Sequence, residues 1–405
     1  EDFLKALEEI DSEYFIDTNG NGYFDKSENY QDKNENGKWD EGERFADKNK
    51  NGKWDEGESF EDYNGNGKFD KSGSLKGLII DVRGNSGGLL REATGILNSV
   101  IKKGEPLLYT KGKNGEVLRT YKSTSEPKLS EDVPIIVLVN KSSASASEIL
   151  AGTIQDLDRG VILGNTTFGK GLVQRTKPLN DTLSVKITIA KYYTPSGRLI
   201  QKEEYSSIEG DNDRDSIFYT SNMKRVVYGG GGVSPDITTK REKIPPFIQA
   251  LWRDGVFLSF SSEYINKNKI TNHDFEITDS IIDDFEEFYN NLETVLYTLP
   301  GEKELESMKI ALGIDEDIKI SVFQEEAFIN RYIKKMDKYF SKEKDRQFSE
   351  NENKKWIKNG LEREFSRIII GEKARIGSAL QVDSEYAQAI KILTNPSQYY
   401  SILGF

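Results

Sequence analysis

Between Asp17 and Asp70 one short pattern recurs four times at a 15-residue period, and it fixes what that part of the chain can be. The first copy places Asp17, Asn19, Asn21, Gly22, Asp25 and Glu28. The second places Asp32, Asn34, Asn36, Gly37, Asp40 and Glu43, and the third Asp47, Asn49, Asn51, Gly52, Asp55 and Glu58. The fourth holds Asp62, Asn64, Asn66, Gly67 and Asp70, with Gly73 where the last glutamate would fall. These are the oxygen-bearing positions and the turn glycine of an EF-hand-type calcium loop. A hard cation takes six to eight oxygens, the glycine allows the sharp turn, and a final glutamate binds with both oxygens. Only three residues separate successive loops, too few for the paired helices of true EF-hands. Aromatic residues recur in register: Phe15, Tyr30, Phe45 and Phe60 before the loops, Phe24, Trp39, Trp54 and Phe69 within them. The pattern predicts a small stack held by Ca2+ and aromatic rings, which unfolds when the metal is removed.

Charge follows the same segment. Residues 11–73 hold 17 acidic and 9 basic side chains, a net of −8 out of −12 for the whole chain. Such a surface repels nucleic acid and suits a cation. Two scarcities then exclude most hydrolytic chemistries. There is no cysteine, so thiolate catalysis, disulfides and cysteine zinc sites are absent. The one histidine, His273, sits in a helical, charge-rich stretch and reads as an exposed helix-flanking residue. A hydrolase built on this chain therefore needs Lys, Asp or Glu as its base.

At 405 residues two or three domains are expected. The longest strongly apolar run, Ile135 to Val139, is too short to cross a bilayer. The chain opens at Glu1 without a readable signal peptide and reads as a fragment or processed form. Residues 1–10 read as the end of a core helix, 11–74 as the calcium-loop insertion, 75–244 as an α/β core, and 245–405 as a helical domain. In the core, Leu78-Ile79-Ile80, Pro134 to Val139 and Val161-Ile162-Leu163 read as buried strands, and Val185, Ile187 and Ile189 as a half-buried one. In the tail, Ile281, Ile282, Phe285, Phe288, Leu292 and Leu296 form one helical stripe, and Phe328, Tyr332, Met336 and Tyr339 another. Both are expected to be packing faces.

Two segments carry chemistry. Asn140-Lys141-Ser142-Ser143-Ala144-Ser145-Ala146-Ser147-Glu148 lies where a buried strand turns into a helix, so a serine there faces the positive end of the helix dipole. Taken alone, one of these serines reads more readily as a helix cap than as a nucleophile. Phe168-Gly169-Lys170-Gly171-Leu172-Val173-Gln174 puts a lysine between glycines that let the backbone pass close to another element. A lysine buried in such a place loses solvation and can accept a proton as a neutral amine. Gly164 to Lys170 also matches the glycine and lysine spacing of a phosphate-binding loop, but Gly171 stands where Ser or Thr would hold magnesium, and a strand follows where a helix should.

Four motifs occur in order: Gly77-Leu78-Ile79-Ile80-Asp81-Val82-Arg83-Gly84-Asn85-Ser86-Gly87-Gly88; the Ser-Ala-Ser-Ala-Ser-Glu run at 143–148; Phe168-Gly169-Lys170-Gly171-x-Val173-Gln174; and Tyr193-Thr194-Pro195-Ser196-Gly197-Arg198-x-Ile200-Gln201. Together they resemble the C-terminal processing peptidases, tail-specific serine proteases with a Ser-Lys dyad, over roughly residues 75–240. The resemblance implies an α/β peptidase core of the ClpP/crotonase type, with the calcium-repeat segment inserted and an α-helical C-terminal domain. It makes Ser145 the nucleophile, Lys170 the general base and Gln174 the residue that orients the lysine. The oxyanion hole is then the N–H of Ala146 with that of Gly88 or Gly87, while Asp81 and Arg83 are structural. Catalysis needs no cofactor, and Ca2+ is structural. Substrates are proteins or peptides with unstructured C-termini. A PDZ domain is expected upstream of Glu1, and the setting is a bacterial periplasm or the cell exterior, with a membrane anchor in preceding residues allowed. The rival expectation is a calcium-dependent scaffold with an inactive core, against which the intact Ser145, Lys170 and Gln174 argue.

Overall fold

The structure, a computed structural model, describes residues 2, 3, 7, 77–202, 216–240, 242–271, 275–292, 297–312 and 324–405. The calcium-loop residues 17–70, His273 and Leu296 lie outside the described residues. Two compact units emerge: residues 77–240 with 384–405, and residues 242–383.

The first unit is organised by β4 (Ile135–Val139), whose five side chains are all buried. A run apolar at every position, not alternate ones, is what a parallel strand covered on both faces requires. β4 pairs in parallel with β1 (Leu78–Asp81) and β5 (Val161–Gly164), and β5 with β10 (Ile237–Thr238). Ile135, Val137 and Val139 point into one cluster, shared with α1 (Leu90–Val100) and α2 (Ala146–Asp156). Ile136 and Leu138 point into the other. A second, antiparallel sheet has the order β3-β2-β7-β6, built from β2 (Pro106–Lys111), β3 (Val117–Lys122), β6 (Leu172–Pro178) and β7 (Ser184–Tyr193). A separate ribbon pairs β8 (Ile217–Tyr219) with β9 (Val226–Tyr228).

The second unit holds seven helices among its described residues: α3 (Pro246–Arg253), α4 (Val256–Asn268), α5 (Asp279–Asn290), α6 (Glu302–Ala311), α7 (Gln324–Arg346), α8 (Asn351–Ile369) and α9 (Glu372–Leu380). Its core is aromatic: Phe247, Phe257, Phe285 and Phe365 are buried, and Phe257 stacks on Phe285 with centroids 5.2 Å apart. Gly360 makes this possible on α8, because a Cβ there would lie 2.7 Å from the Phe257 ring. The first expected stripe packs here through Ile282 and Phe285. The second does not. Phe328, Tyr332, Met336 and Tyr339 are 61, 51, 44 and 58% exposed, which corrects the expectation of a packed face. α7 carries two apolar stripes, and it is Ile333 and Phe340, with Ile329 beside them, that meet Leu305 of α6.

The chain then returns to the first unit. α10 (Ser384–Leu393) and α11 (Pro396–Leu403) bring Ala389, Ile392, Leu393, Tyr399 and Leu403 onto Ile136, Leu138, Val161 and Leu163. The last stretch of the expected helical tail is thus the second layer over the parallel sheet. Pro396 opens α11, where its missing N–H costs nothing, and Asn395 caps it by accepting the Gln398 N–H at 3.1 Å. The Tyr399 hydroxyl locks the helix down by accepting from the Ile135 N–H (2.9 Å) and donating to the Ile135 carbonyl (3.1 Å).

Candidate active site

At the end of β4 the chain turns sharply into α2, and three of the four serines there, Ser143, Ser145 and Ser147, separate into two roles. Ser143, fully buried, donates to the Val82 carbonyl (2.7 Å) and accepts from the Asn140 N–H (2.9 Å). Ser147 donates to the Asn85 carbonyl at 3.0 Å. Both fasten the turn to the glycine-rich loop that leaves β1. Ser145 between them is half-buried, with φ 56° and ψ −113°, a backbone conformation that residues other than glycine seldom adopt. The same sharp strand-to-helix geometry presents the nucleophile of α/β-hydrolases.

The glycine-rich loop closes over this turn. Gly87, at φ 90°, lies so near that a Cβ would stand 2.7 Å from the Ala146 nitrogen and would overlap the Ala144 carbonyl. Its N–H is spent on Asn85 Oδ1 at 2.9 Å. The N–H groups of Ala146 and Gly88 have no hydrogen-bond acceptor among the described residues. Asp81 and Arg83 serve the scaffold. The Arg83 guanidinium bonds Asp81 (2.7 Å) and Glu385 (2.6 Å), tying β1 to α10.

Lys170 approaches from the loop between β5 and β6. Its neighbours explain the glycines. A Cβ on Gly169, at φ 88°, would lie 2.9 Å from the Lys202 Cβ, and one on Gly171 would lie 3.0 Å from the Gln201 nitrogen. The loop is pinned by Lys202 N–H to the Gly169 carbonyl (2.9 Å) and by Gly171 N–H to Gln201 Oε1 (2.8 Å). Leu172 opens a strand, as the sequence suggested against a phosphate loop. Gln174 is exposed on β6, at the irregularity between Val173 and Gln174 in its pairing with β7.

One carboxylate joins the two segments. Glu148, in the first turn of α2 and fully buried, accepts four hydrogen bonds. Its Oε2 takes the N–H of Ser145 (2.8 Å) and of Lys170 (2.8 Å); its Oε1 takes the Thr167 hydroxyl and the Gly169 N–H, both at 2.6 Å. On the other side, the Tyr192 hydroxyl reaches the carbonyl oxygens of Ser145 (3.1 Å) and Lys170. Burial pushes the Tyr192 phenol well above its ordinary value, and the Glu148 carboxylate adds to the shift, so the phenol stays protonated and donates. The main chains of Ser145 and Lys170 are therefore brought together. Their side chains form no hydrogen bond with each other among the described residues, and none joins Gln174 to Lys170. Catalytic hydrogen bonds commonly tighten only around a bound substrate.

Two stretches of the chain are similar to known proteins. Residues 61–212 match the model of peptidase family S41, and residues 247–393 match the C-terminal helical domain of a probable PDZ-protease. Over the first of these stretches the chain is similar to S41 peptidases. It is 45% identical over 128 residues to a carboxy-terminal-processing protease of Bartonella bacilliformis, covering 31% of this chain and 29% of that protein. It is 39% identical over 129 residues to the carboxy-terminal processing protease CtpB of Bacillus subtilis, covering 32% and 26%. The chain therefore aligns with less than a third of the length of these relatives. Among solved structures, the photosystem II D1 C-terminal processing protease is 32% identical, with a TM-score of 0.33 over 42% of this chain and 36% of that one.

Glu148, Thr167 and Tyr192 carry the site's architecture, yet sequence reading gave none of them a role. Glu148 had a signal, the Ser-x-x-Glu spacing of a capping box at Ser145. Tyr192 had none, since its place beside two carbonyls depends on how β7 packs.

Proposed function

We propose that this chain is a serine endopeptidase of the C-terminal processing kind, acting through Ser145 and Lys170 on proteins with unstructured carboxyl tails. The observation that carries the proposal is the strained Ser145 turn held beside the Lys170 loop by shared contacts to Glu148. Neutral Lys170 takes the Ser145 proton as the hydroxyl oxygen attacks the scissile carbonyl. The N–H of Ala146 stabilises the oxyanion with that of Gly88, whose hydrogen is uncommitted while that of Gly87 is bound to Asn85. Each such donor is worth about 3 kcal/mol. Protonated Lys170 then passes its proton to the leaving amine, and water activated by the same lysine releases the acyl-enzyme. Gln174 orients Lys170 once substrate closes the site. No cofactor enters this sequence.

The core is of the ClpP/crotonase type in this reading, and a PDZ module delivers the substrate's carboxyl end, in keeping with the PDZ-protease match of the helical domain. The four acidic repeats bind Ca2+ as a structural ion. Loops of this composition suit a calcium-rich compartment, so the reading extends to a periplasmic or secreted protein. Ser145→Ala and Lys170→Ala are each expected to abolish cleavage of an unstructured protein without changing the fold. Near-normal cleavage by Lys170→Ala would refute the dyad. For the repeats, a calcium titration followed by far-UV circular dichroism is expected to show ordering; no binding would remove that part of the proposal.

A further inference from the structure

We propose that Glu148 and Tyr192 are positioning residues, a two-sided main-chain clamp that sets the nucleophile and its base in register. The inference rests on the Ser145–Lys170 reading above. Each of the two side chains touches both members of the dyad, and at complementary backbone groups. Glu148 Oε2 holds their N–H groups, at 2.8 Å each. The Tyr192 hydroxyl lies against their carbonyl oxygens. Ser145 and Lys170 are 25 positions apart in sequence, on separate loops, and no hydrogen bond runs between their own side chains among the described residues. Their relative position is thus set through the clamp together with one direct bond between the two segments, from the Phe168 N–H to the Ser143 carbonyl at 3.0 Å.

The chemistry of each half fits the task. A fully buried carboxylate is costly unless its lone pairs are filled, and four donors fill those of Glu148. It accepts only, so it can hold two N–H groups on one oxygen, which a glutamine amide facing the same four donors cannot do with both its ends. The phenol has a single hydrogen for two carbonyl oxygens, so it satisfies both only while they stay close together. The Ser145 backbone conformation, φ 56° and ψ −113°, lies between the two contacts and is held from both sides. Loosening either side lets Ser145 relax toward an ordinary backbone conformation and carries its hydroxyl away from Lys170. Small misplacements of reacting groups have large kinetic effects, on the order of a hundredfold for about 1 Å.

The test is steady-state kinetics of the full chain on an unstructured protein substrate, with wild type, Tyr192→Phe, Glu148→Gln and Lys170→Ala compared. Tyr192→Phe removes one oxygen from a buried ring and is expected to lower kcat about tenfold, and Glu148→Gln on the order of a hundredfold, with KM within about twofold of wild type in both. Equal thermal midpoints for wild type and Tyr192→Phe separate positioning from loss of fold. If Glu148→Gln does not fold, Tyr192→Phe decides alone. Wild-type kcat in a folded Tyr192→Phe protein, with Lys170→Ala inactive, overturns the clamp and leaves the dyad standing. Wild-type turnover in Lys170→Ala overturns the dyad and the clamp with it.

Discussion

If Ser145 is held in a strained backbone conformation for its chemistry, then removing the strain should stabilise the protein while destroying the activity. Ser145→Gly and Ser145→Ala both delete the hydroxyl, so the difference between them isolates the backbone. At φ 56° and ψ −113° alanine keeps the steric conflict that serine has, and glycine does not. Holding a non-glycine residue in such a region costs about 1–3 kcal/mol. Glycine gives back about 0.5–1 kcal/mol through the larger freedom of the unfolded chain. The net expectation is a Ser145→Gly protein about 1 kcal/mol more stable than Ser145→Ala. For a domain of this size that is roughly 2–4 °C in midpoint, measurable by differential scanning calorimetry on the transition of the first unit. Both variants are expected to be inactive. An alanine variant as stable as the glycine variant would show that the turn is not strained, and that the geometry at Ser145 stores nothing.

Two further outcomes test the surroundings. Gly87→Ala puts a methyl group against the Ala146 nitrogen at a backbone angle of φ 90°, so peptidase activity should fall at least about a hundredfold, whereas Gly88→Ala faces open space and should retain most of it; equal losses would mean that Gly87 does not shape the oxyanion site. Tyr399→Phe leaves the buried Ile135 N–H without its partner and should cost about 1–3 kcal/mol in urea denaturation. Burial raises the Tyr399 phenol from its ordinary 10.0 to about 12. A raised folded-state value stabilises the protonated form, so this contribution is complete below about pH 10 and is lost as pH climbs toward 12. Wild type should therefore lose stability over that window more steeply than Tyr399→Phe, and parallel curves would contradict the assignment.

How far the sequence spoke for itself varies by residue. The serine turn and the lysine between glycines were readable because each local pattern has one cheap backbone solution: small residues where β4 turns into α2, and glycine where the Lys170 loop passes Gln201 and Lys202. β4 was readable because a five-residue apolar run has to be buried on both faces. What periodicity does not encode is the partner. Ala389, Ile392 and Leu393 look like any helical stripe, and only the structure shows that they cover Ile136 and Leu138. The same limit explains α7, where the longer stripe through Phe328, Tyr332, Met336 and Tyr339 lies outward and the shorter one through Ile329, Ile333 and Phe340 packs. Asn85 distinguishes Gly87 from Gly88 by taking the N–H of one of them, a side-chain choice that no spacing announces.

The mechanism proposed for this site makes Ser145 a nucleophile activated by Lys170. Its most direct test is reaction of the full chain with a fluorophosphonate probe, followed by peptide mass spectrometry. The expected result is a single adduct on Ser145, abolished in Lys170→Ala and retained in Lys141→Ala. An adduct on Ser143 or Ser147, or undiminished labelling of Ser145 without Lys170, would contradict it.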